Sequence, residues 1–496
     1  MAPRVHPVVR RPETLRSDHR RVITRYLDFQ HPPRIRAVAR RVLKLPEKDV
    51  SRLLKGVLRG FAARHRDIAA VLLENCTRAL RHVPGHPKLS RDRQLLLGAY
   101  FTLEYSIESA ALFNPSIVMH PDQSDLPEGA ARFLLSLRAT GEGHISSIVF
   151  RRGLIGRSGE ITFDPPPRYA YSARPVPDQA IEKELFCRKL REMGTACEHA
   201  DRVLGRLGDP FTPAQLKAAI QLVRHMPDTP KAFGALAAQM QWVARANYEL
   251  RFPSDCRPAE VVIFPATEYE QRGMEDLRLV RFLEDGGQAH YYGTYTAYDG
   301  RSVHPMLLET ADFETFHVRT LSGRYARNKG MALFPRKVDG HYLMLSRHDG
   351  ENLYLLRSHS LYAWNVAAKL QAPREPWELV QIGNCGSPIE TPRGWIALTH
   401  GVGPMRQYCI GALLLDLADP SRVIGRLAEP LLVPSAGERE GYVPNVLYSC
   451  GSMIHNGQLV VPYAMSDLRT SFATIEMDAL LRRLLEGGPR RRARRR

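Results

Sequence analysis

Nowhere in the 496 residues is there a run of about 18 apolar side chains, so no segment is suited to cross a bilayer as a helix. The first residues, Met1-Ala2-Pro3-Arg4-Val5-His6-Pro7, hold no apolar stretch of the kind a secretory leader needs, and Glu13 and Asp18 argue against a transit peptide. A cytoplasmic location is the resulting expectation. The seven cysteines (Cys76, Cys187, Cys197, Cys256, Cys385, Cys409 and Cys450) are odd in number and scattered, with no Cys-x-x-Cys or Cys/His spacing. That excludes a zinc ribbon and predicts reduced, mostly buried thiols.

Acidic residues are scarce at one end. The net charge is +18. The first hundred residues carry about +15 of it and the closing Arg490–Arg496 run about +6, which leaves the intervening chain about −3. A nucleic-acid enzyme would line its working cleft with the excess, so this distribution predicts no specific nucleic-acid partner.

What is present divides by texture. Residues 1–104 read as a basic α-helical region, with apolar side chains at helical spacing in Asp49–Phe61 and Asp67–Asn75 and with breaks at Pro32-Pro33 and Pro84–Pro87. A second helical block runs over 178–250, where Thr212-Pro213-Ala214-Gln215 reads as an N-cap followed by proline. Around and after it the chain becomes short β-type runs. Val261–Phe264, Ala289–Tyr295, Tyr342–Ser346, Trp395–Thr399, Ile410–Leu415 and Gln458–Tyr463 are divided by turns such as Val338–His341 and His455-Asn456-Gly457. The phrase recurs about every 50 residues, which favours a mainly β fold of radially repeated four-stranded sheets, a propeller, over a β-sandwich. Propellers bind ligands where the blades meet.

Several loops there carry charged and amide side chains without an evident packing role: Glu275-Asp276-Leu277-Arg278, Arg327-Asn328-Lys329, Arg347–Asn352, Asn384–Thr391 and Thr399-His400-Gly401. Most of the accompanying aromatics, among them Tyr292, Tyr295, Trp364, Trp395 and Tyr463, are expected in blade cores.

In order along the chain, Phe113-Asn114-Pro115, Gly273–Arg278, Tyr295–Gly300, Asn328–Pro335, Ser387–Thr391 with Gly394-Trp395, His400-Gly401-Val402 and Glu440–Val446 resemble glycoside hydrolase family 130, the mannoside phosphorylases and β-mannosidases. The resemblance implies a five-bladed β-propeller catalytic domain over 105–485, with 178–250 as a helical insertion and 486–496 as an Arg-rich disordered tail. It implies Asp276 as general acid, its proton passing through a hydroxyl of the mannosyl residue. Asn114, Arg278, Tyr298, Asp299 and Asp467 would line the sugar site, and a neighbouring charge such as Glu275, or partial burial, would raise the acid's pKa.

The second actor separates two reactions. An inverting hydrolase needs a carboxylate base roughly 6.5–9.5 Å from the acid. A phosphorylase needs cations and donors for a dianion instead. Family phosphorylases commonly have lysine where this chain has Glu390, and Glu351 offers a second carboxylate. The expectation is therefore an inverting β-mannosidase, β-1,2-linkages first, with Glu351 and Glu390 orienting water. The alternative is a phosphorylase releasing α-mannose 1-phosphate, with Arg138, Lys329, Arg347 and His400, beside Asn328, as ligands; a non-catalytic glycan-binding propeller ranks below both. No cofactor or metal is expected, apart from inorganic phosphate as co-substrate of a phosphorylase. The expected partner is a manno-oligosaccharide, and the helical region is a candidate surface for self-association.

Overall fold

The computed structural model describes residues 8–195 and 197–487. It is mainly β, as the alternation of apolar runs and turns requires. Its strands form antiparallel sheets of ten, five, five, four and two strands. The ten-stranded sheet is two antiparallel sets joined at a single parallel register pair, Gly273 opposite Ser146. Gly273 has φ +127°, and a Cβ there would lie 2.7 Å from the Ser146 nitrogen, so only glycine fits this junction. Trp364 and Trp395 are fully buried between sheets, as expected of core aromatics.

Two strands of the ten-stranded sheet break register at matching places. Ala111–Met119 is bulged against Ala131–Thr140 between Phe113 and Ser116, and Gly273–Leu283 is bulged against Ala289–Tyr298 between Glu275 and Arg278. A bulge tilts its extra residue out of the pleat. The residues so re-aimed include Asn114 and Asp276.

The N-terminal region departs from the all-helical expectation. Helices span Pro32–Leu43, Glu47–Phe61, Ile68–Leu80 and Arg91–Ala99, but Val8–Leu15 is a strand paired with Arg469–Glu476 at the far end of the chain. Val22–Tyr26 pairs with Thr102–Ser106. The physical reason is the sheet edge: Arg469–Glu476 would otherwise present an unpaired row of backbone groups. Arg10 reinforces the seam, its Nε lying 3.0 Å from Glu438 Oε1, which also accepts from the Tyr463 hydroxyl at 2.7 Å.

The second helical block holds helices Lys183–Glu192, Glu198–Leu204, Pro213–Arg224 and Phe233–Ala246 around their own apolar cluster, and Thr212 caps the third with Gln215. The block ends inside the β structure, because Tyr248–Arg251 pairs with Thr315–Thr320. No helix among the described residues is long and apolar enough to cross a membrane. The Arg-rich tail lies outside the described residues from 488 onward.

Candidate active site

At one end of the bulged strands lies a cavity of about 170 Å³, lined by Asn114, Arg138, Asp276, Lys329, Arg347, His400, Arg406, Tyr408, Val443, Val446, Tyr448 and Asp467. Seven of these were expected from sequence: Asn114, Arg138, Asp276, Lys329, Arg347, His400 and Asp467. They arrive from strands and turns of four sheets, three of them from the ten-stranded one, which is why their spacing along the chain showed no pattern.

Asp276 is the hub. Its Oδ1 accepts from Asn114 Nδ2 at 2.7 Å and lies 3.4 Å from Arg138 Nη1. Arg138 also pairs with Glu275 at 2.9 Å through Nη2 and gives its Nε to the Ser146 hydroxyl at 2.9 Å. Lys329 pairs with the other oxygen of Glu275. Asn114, Asp276 and Asp467 have φ of +50°, +59° and +52°, and Asn328, which presents Lys329, has +63°. Left-handed backbone at non-glycine residues costs energy and persists where surrounding contacts over-determine it.

The expectation that Glu275 or partial burial leaves the Asp276 pKa raised is overturned. Burial pushes the carboxyl up, but the charges of Arg138, Arg278 and Lys329 and the Asn114 amide outweigh it and hold Asp276 below its usual range. Glu275 is occupied by Arg138 and Lys329. Asp467 is the raised carboxyl: burial, then the charge of Asp276, push it up to about 6 against Arg138 and Arg406.

His400 is neutral, burial and then the charges of Arg347 and Arg278 holding it well below its usual range. Its Nδ1 lies 3.0 Å from the Asn384 carbonyl oxygen, which assigns the proton to Nδ1 and leaves Nε2 as an acceptor. Among the described residues Nε2 of His400 and Nε of Arg347 have no hydrogen-bond partner. The lining thus carries four cations, Arg138, Lys329, Arg347 and Arg406, against the carboxylates Asp276 and Asp467. A polar cavity with excess positive charge suits an anion.

Six expected residues are placed elsewhere. Glu390 is paired with Arg336 at 2.6 Å and lines a different cavity, formed by the opposite ends of the bulged strands. Glu390 stands opposite Trp395 in the ladder that carries His400, five residues and about 17 Å further along the strand. It therefore neither repels an anion in the site nor orients a water there. Glu351 is exposed on the Arg347–Asn352 turn and does not line the cavity either. Tyr298 and Asp299 form the turn after Ala289–Tyr298: the Tyr298 hydroxyl donates to Gly300 O at 3.0 Å, and Asp299 Oδ1 accepts from the Arg301 and Ser302 nitrogens at 2.7 Å each. Asn328 Oδ1 accepts from the Lys329 nitrogen at 2.9 Å and shapes the turn without lining the cavity.

Arg278 lies behind the wall, 2% exposed. It gives Nε to Asn384 Oδ1 at 3.2 Å, Nη1 to the Asp276 carbonyl at 3.1 Å and Nη2 to the Tyr448 hydroxyl. Burial opposes its charge, yet Tyr448 and Asp276 among its neighbours hold its pKa above the ordinary arginine value. It fixes the wall rather than touching the contents.

Sequence reasoning missed Arg406, Tyr408, Val443, Val446 and Tyr448. The Gly441–Val446 segment was visible as a motif; nothing in the local sequence aims Arg406 inward.

A family profile described as β-1,4-mannooligosaccharide phosphorylase matches residues 254–486. A 1,2-β-oligomannan phosphorylase of Thermoanaerobacter sp. (strain X514) is 36% identical over 215 residues, 42% of this chain and 71% of the relative. A β-1,2-mannobiose phosphorylase of Listeria innocua is 27% identical over 250 residues, 49% of this chain and 68% of the relative. A solved β-1,2-mannobiose phosphorylase from Listeria innocua, in complex with β-1,2-mannobiose, aligns with 77% of this chain and 93% of its own at 20% identity and a TM-score of 0.44. With seven quoted segments in order and relatives matched over more than two thirds of their length, the chain belongs to glycoside hydrolase family 130.

Proposed function

We propose that this chain is a β-mannoside phosphorylase, and that its several antiparallel strand sets are the five blades of a propeller with the cavity at one end of the axis. The observation that carries the reading is the lining itself: four cations and a buried imidazole face two aspartates, and neither glutamate needed for the hydrolytic expectation is there. The phosphorylase names of the relatives support the same reading.

In this mechanism a phosphate oxygen attacks the anomeric carbon of the terminal mannosyl unit from the face opposite the leaving group. The glycosidic oxygen departs with a proton that originates on Asp276 and is relayed by a sugar hydroxyl. The products are α-mannose 1-phosphate and the shortened acceptor. Lys329, Arg347 and Arg406 hold the dianion by charge-assisted hydrogen bonds. A protonated phosphate oxygen can donate to Nε2 of His400.

Asp276 must be protonated to act, whereas its protein neighbours alone keep it ionised. A phosphate dianion beside Arg138 and Lys329 offsets their charge and leaves burial opposed chiefly by Arg278 and the Asn114 amide, so the carboxyl rises. Acid function is thereby tied to an occupied site. The relatives named for 1,2-linked mannans make β-1,2-mannobiose the first substrate to try. Incubation with that disaccharide should release α-mannose 1-phosphate only when phosphate is present. Equal turnover without phosphate sinks the proposal in favour of hydrolysis.

A further inference from the structure

The cavity of about 170 Å³ is small beside the roughly 300–1,000 Å³ of ordinary ligand clefts, so a second sugar must rest on its rim. Two surface features adjoin its wall residues along the chain. Tyr442 is 56% exposed, next in the chain to the wall residue Val443. Its ring stacks on His144, with centroids 5.6 Å apart and planes at 25°, and its hydroxyl lies 3.5 Å from His144 Nδ1. His144 belongs to the turn joining the strands that carry Arg138 and Ser146. That turn is braced, because the Tyr105 hydroxyl donates to the Glu142 carbonyl at 2.6 Å and the His144 nitrogen to Gly141 O at 3.1 Å.

The Tyr442 side is fixed as well. The Val443 nitrogen donates to Ser466 O at 3.0 Å, beside the wall residue Asp467. Near this rim the Gly403–Gln407 hairpin holds Met405 and Arg406 in succession at φ +54° and +55°. Met405 is 90% exposed, while Arg406 lines the cavity. Arg406 therefore faces inward to charge, and its neighbour offers apolar surface outside.

We propose that the Tyr442–His144 pair is the platform for the leaving-group sugar, a neutral hexopyranose whose C–H face lies on the tyrosine ring. A ring face with negative quadrupole attracts such C–H groups, and stacked aromatics hold the plane at small entropic cost. This assignment rests on the phosphorylase reading for its kinetic form, though not for its binding form.

The test is the reverse reaction, with α-mannose 1-phosphate as donor and mannose as acceptor. Tyr442→Ala should raise the acceptor KM about tenfold and leave the donor KM within about twofold, while Tyr442→Trp restores the acceptor KM. An unchanged acceptor KM overturns the platform. So does an equal rise for both substrates, which would make Tyr442 a prop for the Asp467 loop. If the wild type cannot use the sugar phosphate at all, the phosphorylase reading fails by itself. The platform is then judged by calorimetry with β-1,2-mannobiose on Asp276→Asn protein: a loss of about tenfold in affinity with Tyr442→Ala supports it, and undiminished affinity overturns it.

Discussion

The side-chain amide of Asn114 donates a 2.7 Å hydrogen bond to Asp276, and each residue stands at a bulge of its own strand with left-handed backbone. Two local irregularities thus converge on one carboxyl. Because the Asn114 bond favours the ionised form, its removal raises the acid's pKa. Activity needs the protonated form in the occupied site, so Asn114→Ala should move the alkaline limb of kcat to higher pH while its maximal value falls about tenfold. Asp276→Asn should cost roughly 10²- to 10⁴-fold in kcat with the fold intact by circular dichroism. An unshifted limb in Asn114→Ala would separate Asp276 from the titrating group.

Asp467 makes the opposite contribution. Its folded pKa of about 6 exceeds the ordinary 3.8, so between these values the folded protein keeps a proton that the unfolded chain has lost. Stability therefore falls as pH rises through this window and stays reduced above it. Asp467→Asn should stabilise the protein at pH 8 by about 1–3 kcal/mol relative to wild type, and by little at pH 4. The comparison is made by urea unfolding at both pH values. Equal effects at the two would mean that the gain does not come from this ionisation. Activity should drop in the same variant, a stability–function trade-off.

Glu390 and Lys329 separate the two reaction types. Glu390→Gln breaks only the half-exposed pair with Arg336, at the opposite end of the strands, and should leave kcat/KM within about twofold. Lys329→Met removes a cation from the lining and should raise the phosphate KM about 10- to 100-fold, with a smaller change in the disaccharide KM. Steady-state kinetics in both substrates read this out. A large loss in Glu390→Gln would return the water-activating role to that residue.

The β character, the turn positions and the helical block were legible because each is local, in alternation and turn chemistry, whereas the seven wall residues were legible only through the resemblance to family 130. Glu390 misled because sequence order does not say which end of a strand a residue occupies. Glu390 and His400 are ten positions apart, yet Glu390, on the strand Ile389–Thr391, pairs with the start of the strand Gly394–Val402 while His400 stands near its end. Arg406 was hidden by two consecutive left-handed residues that Gly403-Pro404-Met405-Arg406 does not announce. Val8–Leu15 was read as part of a helical region because its partner lies more than 450 residues away, beyond any local pattern.

That strand supplies the last test. Val8–Leu15 covers the edge of Arg469–Glu476, and the turn leading into Arg469 carries Asp467 into the cavity. Arg10 adds a partly buried pair with Glu438, whose backbone oxygen accepts from the Ser466 hydroxyl at 2.7 Å. Removing residues 1–15 therefore exposes an open edge and loosens the wall beside Asp467 together. The truncated protein should unfold at least about 4 °C lower and associate at its bared edge, with kcat reduced more than the phosphate KM. Arg10→Ala, which keeps the strand but breaks the pair, should show a smaller fall in Tm and no association. Should truncation leave Tm and kcat unchanged, the N-terminal strand would be an ornament on a sheet complete without it.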